Sequence, residues 1–252
     1  MLNDAERQRY DRQMLIYGFG EEGQEKLKRA RVFIAGAGGL GSPIAMYLAA
    51  AGVGRIRIVD NDKVDLSNLN RQLLHWTANT GQLKADSAGD KLRQLNPEIN
   101  IETLAGTIDE GTAGDLVGDS DCIIDAMDNL PTRYLLNKTA IERRIPYFHG
   151  AVYGLDGRAL TVIPGQSACL YCLYHGVLPP KEKFPILGAT AGVIGCVQAS
   201  EVIKYFTGIG ELLTGRLLNY DGLSMKFSEF KINLDPACEH CGPVQNEQRQ
   251  QV

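Results

Sequence analysis

The sequence predicts an α/β fold: a Rossmann-like, doubly wound, largely parallel sheet, continued by antiparallel strands in the C-terminal half and carrying a four-cysteine site. Three observations predict it. A glycine-rich turn, Gly36-Ala37-Gly38-Gly39-Leu40-Gly41, follows an apolar run. Short apolar segments then alternate with helical spacing as far as Asp128. Two Cys-x-x-Cys pairs stand far apart in the second half.

Arg31–Ala35 and Arg55–Val59 read as buried parallel strands, flanking a helix that begins near Gly41 and turns Ile44, Leu48 and Ala51 inward. Gly36, Gly38, Gly39 and Gly41 let backbone amides approach phosphates at that helix start, and Asp60, closing the next strand, can take ribose hydroxyls. Lys84–Leu95 has helical spacing and stops at Asn96-Pro97. Ile99–Leu104 reads as a strand, and Asp121–Asp125 as another that ends in Ala126-Met127-Asp128-Asn129. Ligands of open parallel sheets bind at the strands' carboxyl ends, so Asp60 and Asp128 are expected to face one crevice with the glycine turn between them.

The second half changes character. Arg158–Ile163 alternates and ends at Pro164-Gly165, Ala191–Phe206 is a long helical pattern, and Leu217–Tyr220 and Met225–Ile232 read as antiparallel strands about Asp221-Gly222. Val177–Pro185 reads as a mobile connection crossing over a bound partner, and Gln245–Val252 as a frayed tail. The chain is expected to be one domain, with a nucleotide-binding half (1–150) and a partner-binding half (151–252).

With 252 residues, 44% of them hydrophobic, the chain can bury a large core. A net charge of −4 argues against a sequence-independent nucleic-acid surface. Met1–Arg12 is too polar for a signal peptide and Ile44–Val53 too short to span a membrane, so a cytoplasmic protein is expected.

Cys169 and Cys172 form one cysteine pair, Cys238 and Cys241 the other. Zinc takes four thiolates at tetrahedral corners, and a two-residue gap lets one turn present two sulfurs to the same ion. Disulfides or redox pairs are the competing reading, disfavoured in a reducing compartment. Cys122 and Cys196 lie in apolar patterns and are expected to be buried structural thiols. His75, His149 and His175 form no visible catalytic arrangement and are read as structural, while His240 sits inside a cysteine knuckle.

Behind Asp60 comes Asp65-Leu66-Ser67-Asn68-Leu69-Asn70-Arg71-Gln72, whose arginine and amides suit a triphosphate chain better than a nicotinamide. This pushes the reading toward adenylation. Together with Arg9-Tyr10-Asp11-Arg12-Gln13, Glu22-Gly23-Gln24, Gly81-Gln82-Leu83-Lys84, Asp125-Ala126-Met127-Asp128-Asn129 and both cysteine pairs, the run resembles the ThiF/MoeB/HesA adenylyltransferases over nearly the whole chain. That family is the bacterial branch of the ubiquitin-activating enzymes. The resemblance implies ATP and Mg2+ as cofactors, zinc in the cysteine site, a homodimer, and a ubiquitin-like sulfur-carrier protein with a C-terminal Gly-Gly as partner in thiamine, molybdopterin or related sulfur transfer.

The resemblance also implies roles. Arg71 and Lys84 offset negative charge building on phosphate oxygens, Asn68 and Gln72 donate to those oxygens, Asp60 holds the ribose, and Asp128 coordinates magnesium. Arg12 resembles the family's arginine that enters the partner subunit's site. On spacing alone, a lone arginine or lysine is as readily a solvated charge, Asp128-Asn129 a helix cap, and Tyr10 and Gln24 packing residues. Many relatives place a cysteine in the crossover loop, but Pro180–Leu187 has none, so a thioester or acyl-disulfide step is in doubt. A nicotinamide-dependent oxidoreductase, a non-catalytic carrier-binding scaffold and an enzyme adenylating a tRNA base remain as alternatives.

Overall fold

The computed structural model describes residues 1–178 and 184–242. Two helices, α1 (Asp4–Met14) and α2 (Gly20–Arg29), precede the first strand, β1 (Arg31–Ala35). Then come α3 (Gly41–Ala51), β2 (Arg55–Val59), α4 (Lys84–Leu95), β3 (Asn100–Leu104), α5 (Ala113–Val117) and β4 (Cys122–Asp125). The second half adds α6 (Leu130–Arg143), β5 (Tyr147–Tyr153), β6 (Asp156–Val162), α7 (Leu170–Tyr174), α8 (Gly188–Thr207), β7 (Arg216–Asp221) and β8 (Lys226–Lys231).

These strands make one sheet in the order β3-β2-β1-β4-β5-β6-β7-β8. Pairing is parallel from β3 to β5 and antiparallel from β5 to β8. Strand order reverses at β1, so a crevice opens where β1 and β4 stop and their connections leave toward opposite sides. Alternation along the strands feeds two cores. Ile34, Ile58 and Phe148 pack with Ile44, Leu48, Leu92 and Ile194 from α3, α4 and α8. Phe33, Ile123 and Tyr147 pack with Leu136 and Leu170 from α6 and α7.

The expected β1, β2 and α4 coincide with the observed elements. Strand β4 starts one residue later than expected, after Asp121, which still pairs with β1: its N–H donates to the Arg31 carbonyl at 2.7 Å and its carboxylate accepts from the Arg31 amide at 2.9 Å and from the Arg31 guanidinium. Helix α8 is longer than expected at both ends. The expected strands Arg158–Ile163, Leu217–Tyr220 and Met225–Ile232 are found as β6, β7 and β8, shifted by one or two residues. Helices α1, α2, α5 and α7 and strand β5 were not foreseen, and of α6 only its cap at Asp128-Asn129 was read. The expected mobile crossing falls in part on residues 179–183, and the expected tail at 245–252; both lie outside the described residues.

The N-terminal helices are pinned to α3 by buried polar side chains. Helix α3 ends at Gly52 (φ 84°), where a Cβ would lie 2.5 Å from Tyr10 Cζ and 2.7 Å from Gln24 Nε2. Gln24 Nε2 donates to the Ala51 carbonyl at 2.9 Å, and Asn96 Nδ2 donates to Tyr10 Oη at 2.8 Å and to the Ala49 carbonyl at 2.7 Å. Tyr10 and Gln24 are thus packing residues that set where α1, and Arg12 with it, leaves the body.

Asn96→Ala strands the buried Tyr10 hydroxyl and leaves the Ala49 carbonyl with the Gly52 amide alone, a loss of about 1–3 kcal/mol. The expected fall in Tm is roughly 2–12 °C for a chain of this size. A melting curve superimposable on the unsubstituted protein's would refute this anchoring.

Candidate active site and cysteine cluster

The site starts from steric necessity. At Gly36 (φ 100°) a Cβ would sit 2.9 Å from the Ala126 carbonyl, and at Gly41 it would collide with the Gly36 carbonyl, so the turn closes against both its own backbone and the β4–α6 connection. Asp60, at the end of β2, caps it: Oδ2 accepts from the Ala37 amide and Oδ1 from the Asp62 amide, both at 2.8 Å. His75 braces the same turn. Its Nε2–H donates to the Ala37 carbonyl at 2.8 Å, leaving Nδ1 to accept from the Ser87 hydroxyl at 3.0 Å.

The polar run folds back over the glycines as a short 3-10 turn at Leu66–Asn68. Asp65 caps it, accepting from Ser67 N at 2.8 Å, and Asn68 Oδ1 accepts from Asp65 N at 3.2 Å. Arg71 is half-buried, donating to the Ser67 carbonyl at 2.8 Å and to Asn70 Oδ1 at 3.0 Å. Arg71 Cγ lies 3.6 Å from where a Gly39 Cβ would stand, and Gln72 Nε2 equally far from one on Gly38. Gln72 is buried, and its Oε1 finds no partner among the described residues. Lys84, at the start of α4, is buried with its Nζ 2.8 Å from Asp62 Oδ2.

Across the crevice, β4 ends in Asp125 and the connection presents Asp128, whose carboxylate is exposed. Asn129 is the α6 cap, accepting from Thr132 N at 3.0 Å, as expected. Below lies a buried cluster that no spacing in the sequence announced. Asp125 Oδ2 accepts from His149 Nδ1 at 2.7 Å and from Tyr147 Oη at 2.8 Å, and Arg133 Nε stands 3.6 Å away. Burial pushes the Asp125 carboxyl up, but Arg133 and the His149 hydrogen bond outweigh it and hold it below the ordinary carboxylate range. The one hint in the sequence was an acid terminating the apolar run Cys122-Ile123-Ile124.

Contacts thus gather the glycine turn, Asp60, Arg71 and Gln72, with Lys84 tied in through Asp62 and Asn68 bonded to the Arg71 amide, while Asp128 lies on the connection against which Gly36 closes. The structure does not bring Arg12 among them. Arg12 is exposed on the last turn of α1, and none of the hydrogen bonds or ion pairs among the described residues engages it.

The cysteine pairs meet. Sulfur separations are 3.9 Å for Cys169–Cys172, 3.6 Å for Cys169–Cys238 and 3.5 Å for Cys172–Cys241, and all four sulfurs lie within 4.8 Å of one another. Tetrahedral thiolates about 2.3 Å from a zinc ion would stand about 3.8 Å apart. The cysteines are free thiols, so the cluster is compatible with zinc. Hydrogen bonding among the sulfurs raises Cys169 and Cys241 and lowers Cys172. Asn137 of α6 ties in the knuckles, accepting from Leu170 N at 3.0 Å and donating to His240 Nδ1 at 3.0 Å. Cys122 is fully buried, as expected. Cys196 differs: it is only half-buried on α8, though burial still pushes its thiol up.

A model described as the ThiF family matches residues 10–240. The chain is similar to the SAMP-activating enzyme E1 of Haloferax volcanii, 40% identical over 246 residues that cover 96% of this chain and 91% of the relative. It is 39% identical over 251 residues to the sulfur carrier protein adenylyltransferase of Thermus thermophilus, covering 95% and 93% of the two chains. It is 42% identical over 240 residues to the adenylyltransferase and sulfurtransferase MOCS3-1 of Zea mays, but spans only 51% of that longer protein and 93% of itself. Among solved structures, E. coli MccB with ATP superposes with a TM-score of 0.84 at 25% identity, over 93% of this chain and 74% of that one.

Burial holds both His75 and His149 below the ordinary imidazole value. The unfolded chain then takes up protons that the native one refuses. Their contribution to stability is complete above about pH 6.5 and falls as pH drops below it. Asp125 is depressed too, and its share is lost only farther down, as its carboxylate protonates. Between pH 8 and 5.5 the Tm is expected to fall on the acid side, with a shallower fall for His75→Asn. Equal pH profiles for variant and parent would remove His75 from the account.

Proposed function

The chain belongs to the ThiF family, and from that premise we propose that it is an ATP-dependent adenylyltransferase, joining AMP to the C-terminal carboxylate of a ubiquitin-like sulfur-carrier protein that ends in Gly-Gly. The observation that carries the reading is the convergence of a glycine turn, Asp60 and the Asn68–Arg71–Gln72 run opposite the exposed carboxylate of Asp128. The names of the Haloferax and Thermus relatives support the substrate class, and the MccB structure with ATP supports the nucleotide. Thiamine, molybdopterin or related sulfur transfer is the proposed setting, in a cytoplasm reducing enough to keep these thiols free.

The residues fit the implied groups. Close backbone approach at Gly36–Gly41 leaves amides for phosphate oxygens, and Gln72 Nε2, 3.6 Å from where a Gly38 Cβ would stand, is a donor beside them. Asp128 offers a hard oxygen ligand suited to magnesium, which when bound screens phosphate charge. In the proposed reaction a carrier carboxylate oxygen attacks the α-phosphorus, the α–β P–O bond breaks, and pyrophosphate leaves with that electron pair. Arg71 offsets the charge that builds on the phosphate oxygens, and Asp62 holds Lys84 ready for the same task. Asn68 and Gln72 donate, and Asp60 orients the ribose. The half 1–150 binds nucleotide and 151–252 the carrier. Arg12, exposed on the last turn of α1 and engaged by no hydrogen bond or ion pair among the described residues, is proposed to enter the site of a second copy, in a homodimer.

The crossover loop between 180 and 187 carries no cysteine, and Cys196 is a half-buried thiol pushed up by burial. The reaction is accordingly proposed to stop at the acyl adenylate, with sulfur delivered by a separate persulfide donor. Lys181 and Lys183, read as solvated loop charges, lie outside the described residues. Zinc in the Cys169, Cys172, Cys238 and Cys241 cluster would serve folding, since four thiolates leave no open position for water.

ATP–pyrophosphate exchange is expected only when a carrier ending in Gly-Gly is supplied, and Arg71→Ala should reduce it about a hundredfold to a thousandfold. Arg12→Ala and Asp128→Ala subunits should each be inactive alone and regain exchange when mixed. Exchange without a carrier, or none with any such carrier, would refute the proposed substrate.

Elemental analysis should find one zinc per chain, and a zinc-free preparation should melt at lower temperature because metal binding contributes folding free energy. A protein equally stable and carrying no metal would reduce the cluster to four packed thiols.

A further inference from the structure

The connection that carries Asp128 is held from beneath by two anchors on a single residue. Met127 N–H donates to Asp125 Oδ1 at 2.9 Å, and the Met127 carbonyl accepts from Arg133 Nε at 3.2 Å and from its Nη2 at 2.5 Å. Both anchors depend on how Asp125 is satisfied. Its Oδ2 lies 3.6 Å from Arg133 Nε, so carboxylate and carbonyl compete for one guanidinium. What keeps them apart is the pair of donors already on Oδ2, His149 Nδ1 at 2.7 Å and Tyr147 Oη at 2.8 Å.

The two donors are not equivalent. Tyr147 Oη also reaches the Arg133 carbonyl at 3.3 Å, whereas among the described residues Nδ1 of His149 bonds Asp125 alone. An ionised carboxylate cannot donate, so the proton sits on Nδ1, and Nε2 is left buried without a partner among the described residues. Strand register fixes the imidazole in place: Asp125 and His149 are the last paired rung of β4 and β5, closed on the other side by Gln198 Nε2 donating to the Asp125 carbonyl at 2.8 Å and to the Phe148 carbonyl at 3.1 Å. Tyr147 and His149 stack with ring centroids 6.3 Å apart, and Tyr174 of α7 meets His149 edge-on at the same distance.

We propose that His149 is a positioning residue for the metal–nucleotide end of the site, acting through Asp125 to fix the Met127–Asp128 connection. Without the Nδ1 donor, Oδ2 draws Arg133 off the Met127 carbonyl, the carboxylate rotates, and both anchors of Asp128 slacken together. The proposal rests on the reading of Asp128 as the magnesium ligand.

The test is Mn2+ binding to the zinc-replete protein in the presence of α,β-methylene ATP, read from the electron paramagnetic resonance of free Mn2+ and needing no carrier or turnover. Two variants separate hydrogen bonding from packing. In His149→Asn the side-chain amide N–H falls near the place of Nδ1, while His149→Gln fills the space but puts its amide near Nε2. Loss of a group that orients a metal ligand typically weakens metal binding about ten- to a hundredfold, expected here for His149→Gln, with His149→Asn within about threefold of wild type. Equal affinity in all three proteins overturns the proposal, as does equal loss in both variants, which would make His149 a packing residue. If either variant melts below the assay temperature, the Asp125→Asn protein takes the same measurement, and unchanged Mn2+ affinity there overturns the proposal. Wild type that binds no Mn2+ with the nucleotide overturns the reading of Asp128 itself, an outcome distinct from the others.

Discussion

A fully buried carboxylate at the end of a parallel strand dictates much of what surrounds it. Taking a carboxylate out of water costs several kcal/mol unless donors replace the lost hydration, and Asp125 has no exposed surface. Its oxygens therefore recruit from three directions: the Met127 amide from its own connection, Tyr147 and His149 from the neighbouring strand, and Arg133 from the first turn of α6. Each recruit fixes an element. The connection after β4 is curled tightly enough to bring its amide back, β5 is held in register with β4, and α6 starts where its arginine reaches both Asp125 and Met127. The glycine turn then closes against that connection, at the Ala126 carbonyl. The crevice has the shape it has because both its lips lean on one buried charge.

Legibility from the sequence followed the range of the physical signal. Strand β1 was readable because burial on both faces leaves a near-continuous apolar run, β2 because Ile56, Ile58 and Val59 punctuate two arginines at strand spacing, and α4 because its spacing ends at Asn96-Pro97. The polar run and the glycines were readable because their chemistry is concentrated within a few residues. Strand β5 was not: Tyr147-Phe148-His149-Gly150 mixes a buried imidazole and a glycine into what is otherwise a hydrophobic run, and each is there for a partner far along the chain. A Cβ on Gly150 would collide with Gln198, and His149 answers Asp125. Helix α6 was obscured in the same way, since Arg133 and Asn137 lie on its buried side where an apolar stripe would be expected.

The cysteines sit between these cases. Each pair announced itself locally, but nothing in the spacing said what lies between the pairs and the crevice. The connecting piece is α6. Arg133 and Asn137 are four residues apart and hence on one face, the first holding the Met127 carbonyl and the second holding the start of α7 and the His240 ring. Tyr134 joins the same side, its ring 5.7 Å from Tyr171, which stacks on His240 at 4.4 Å.

This arrangement assigns the sulfur cluster a mechanical place that a remote structural metal would not have. One helix, capped by Asn129 beside Asp128, runs from the crevice to the knuckles, and its inward face is made of groups with obligations at both ends. Polar contacts of that kind are directional, so a shift of α7 cannot be absorbed by sliding as it could in an apolar interface. His149 lies between the two systems, bonded to Asp125 and edge-on to Tyr174 at the end of α7. The second half of the chain therefore does more than extend the sheet. By closing the cysteine cluster against α6, it ties the knuckles to the helix whose first turn holds the connection that carries Asp128.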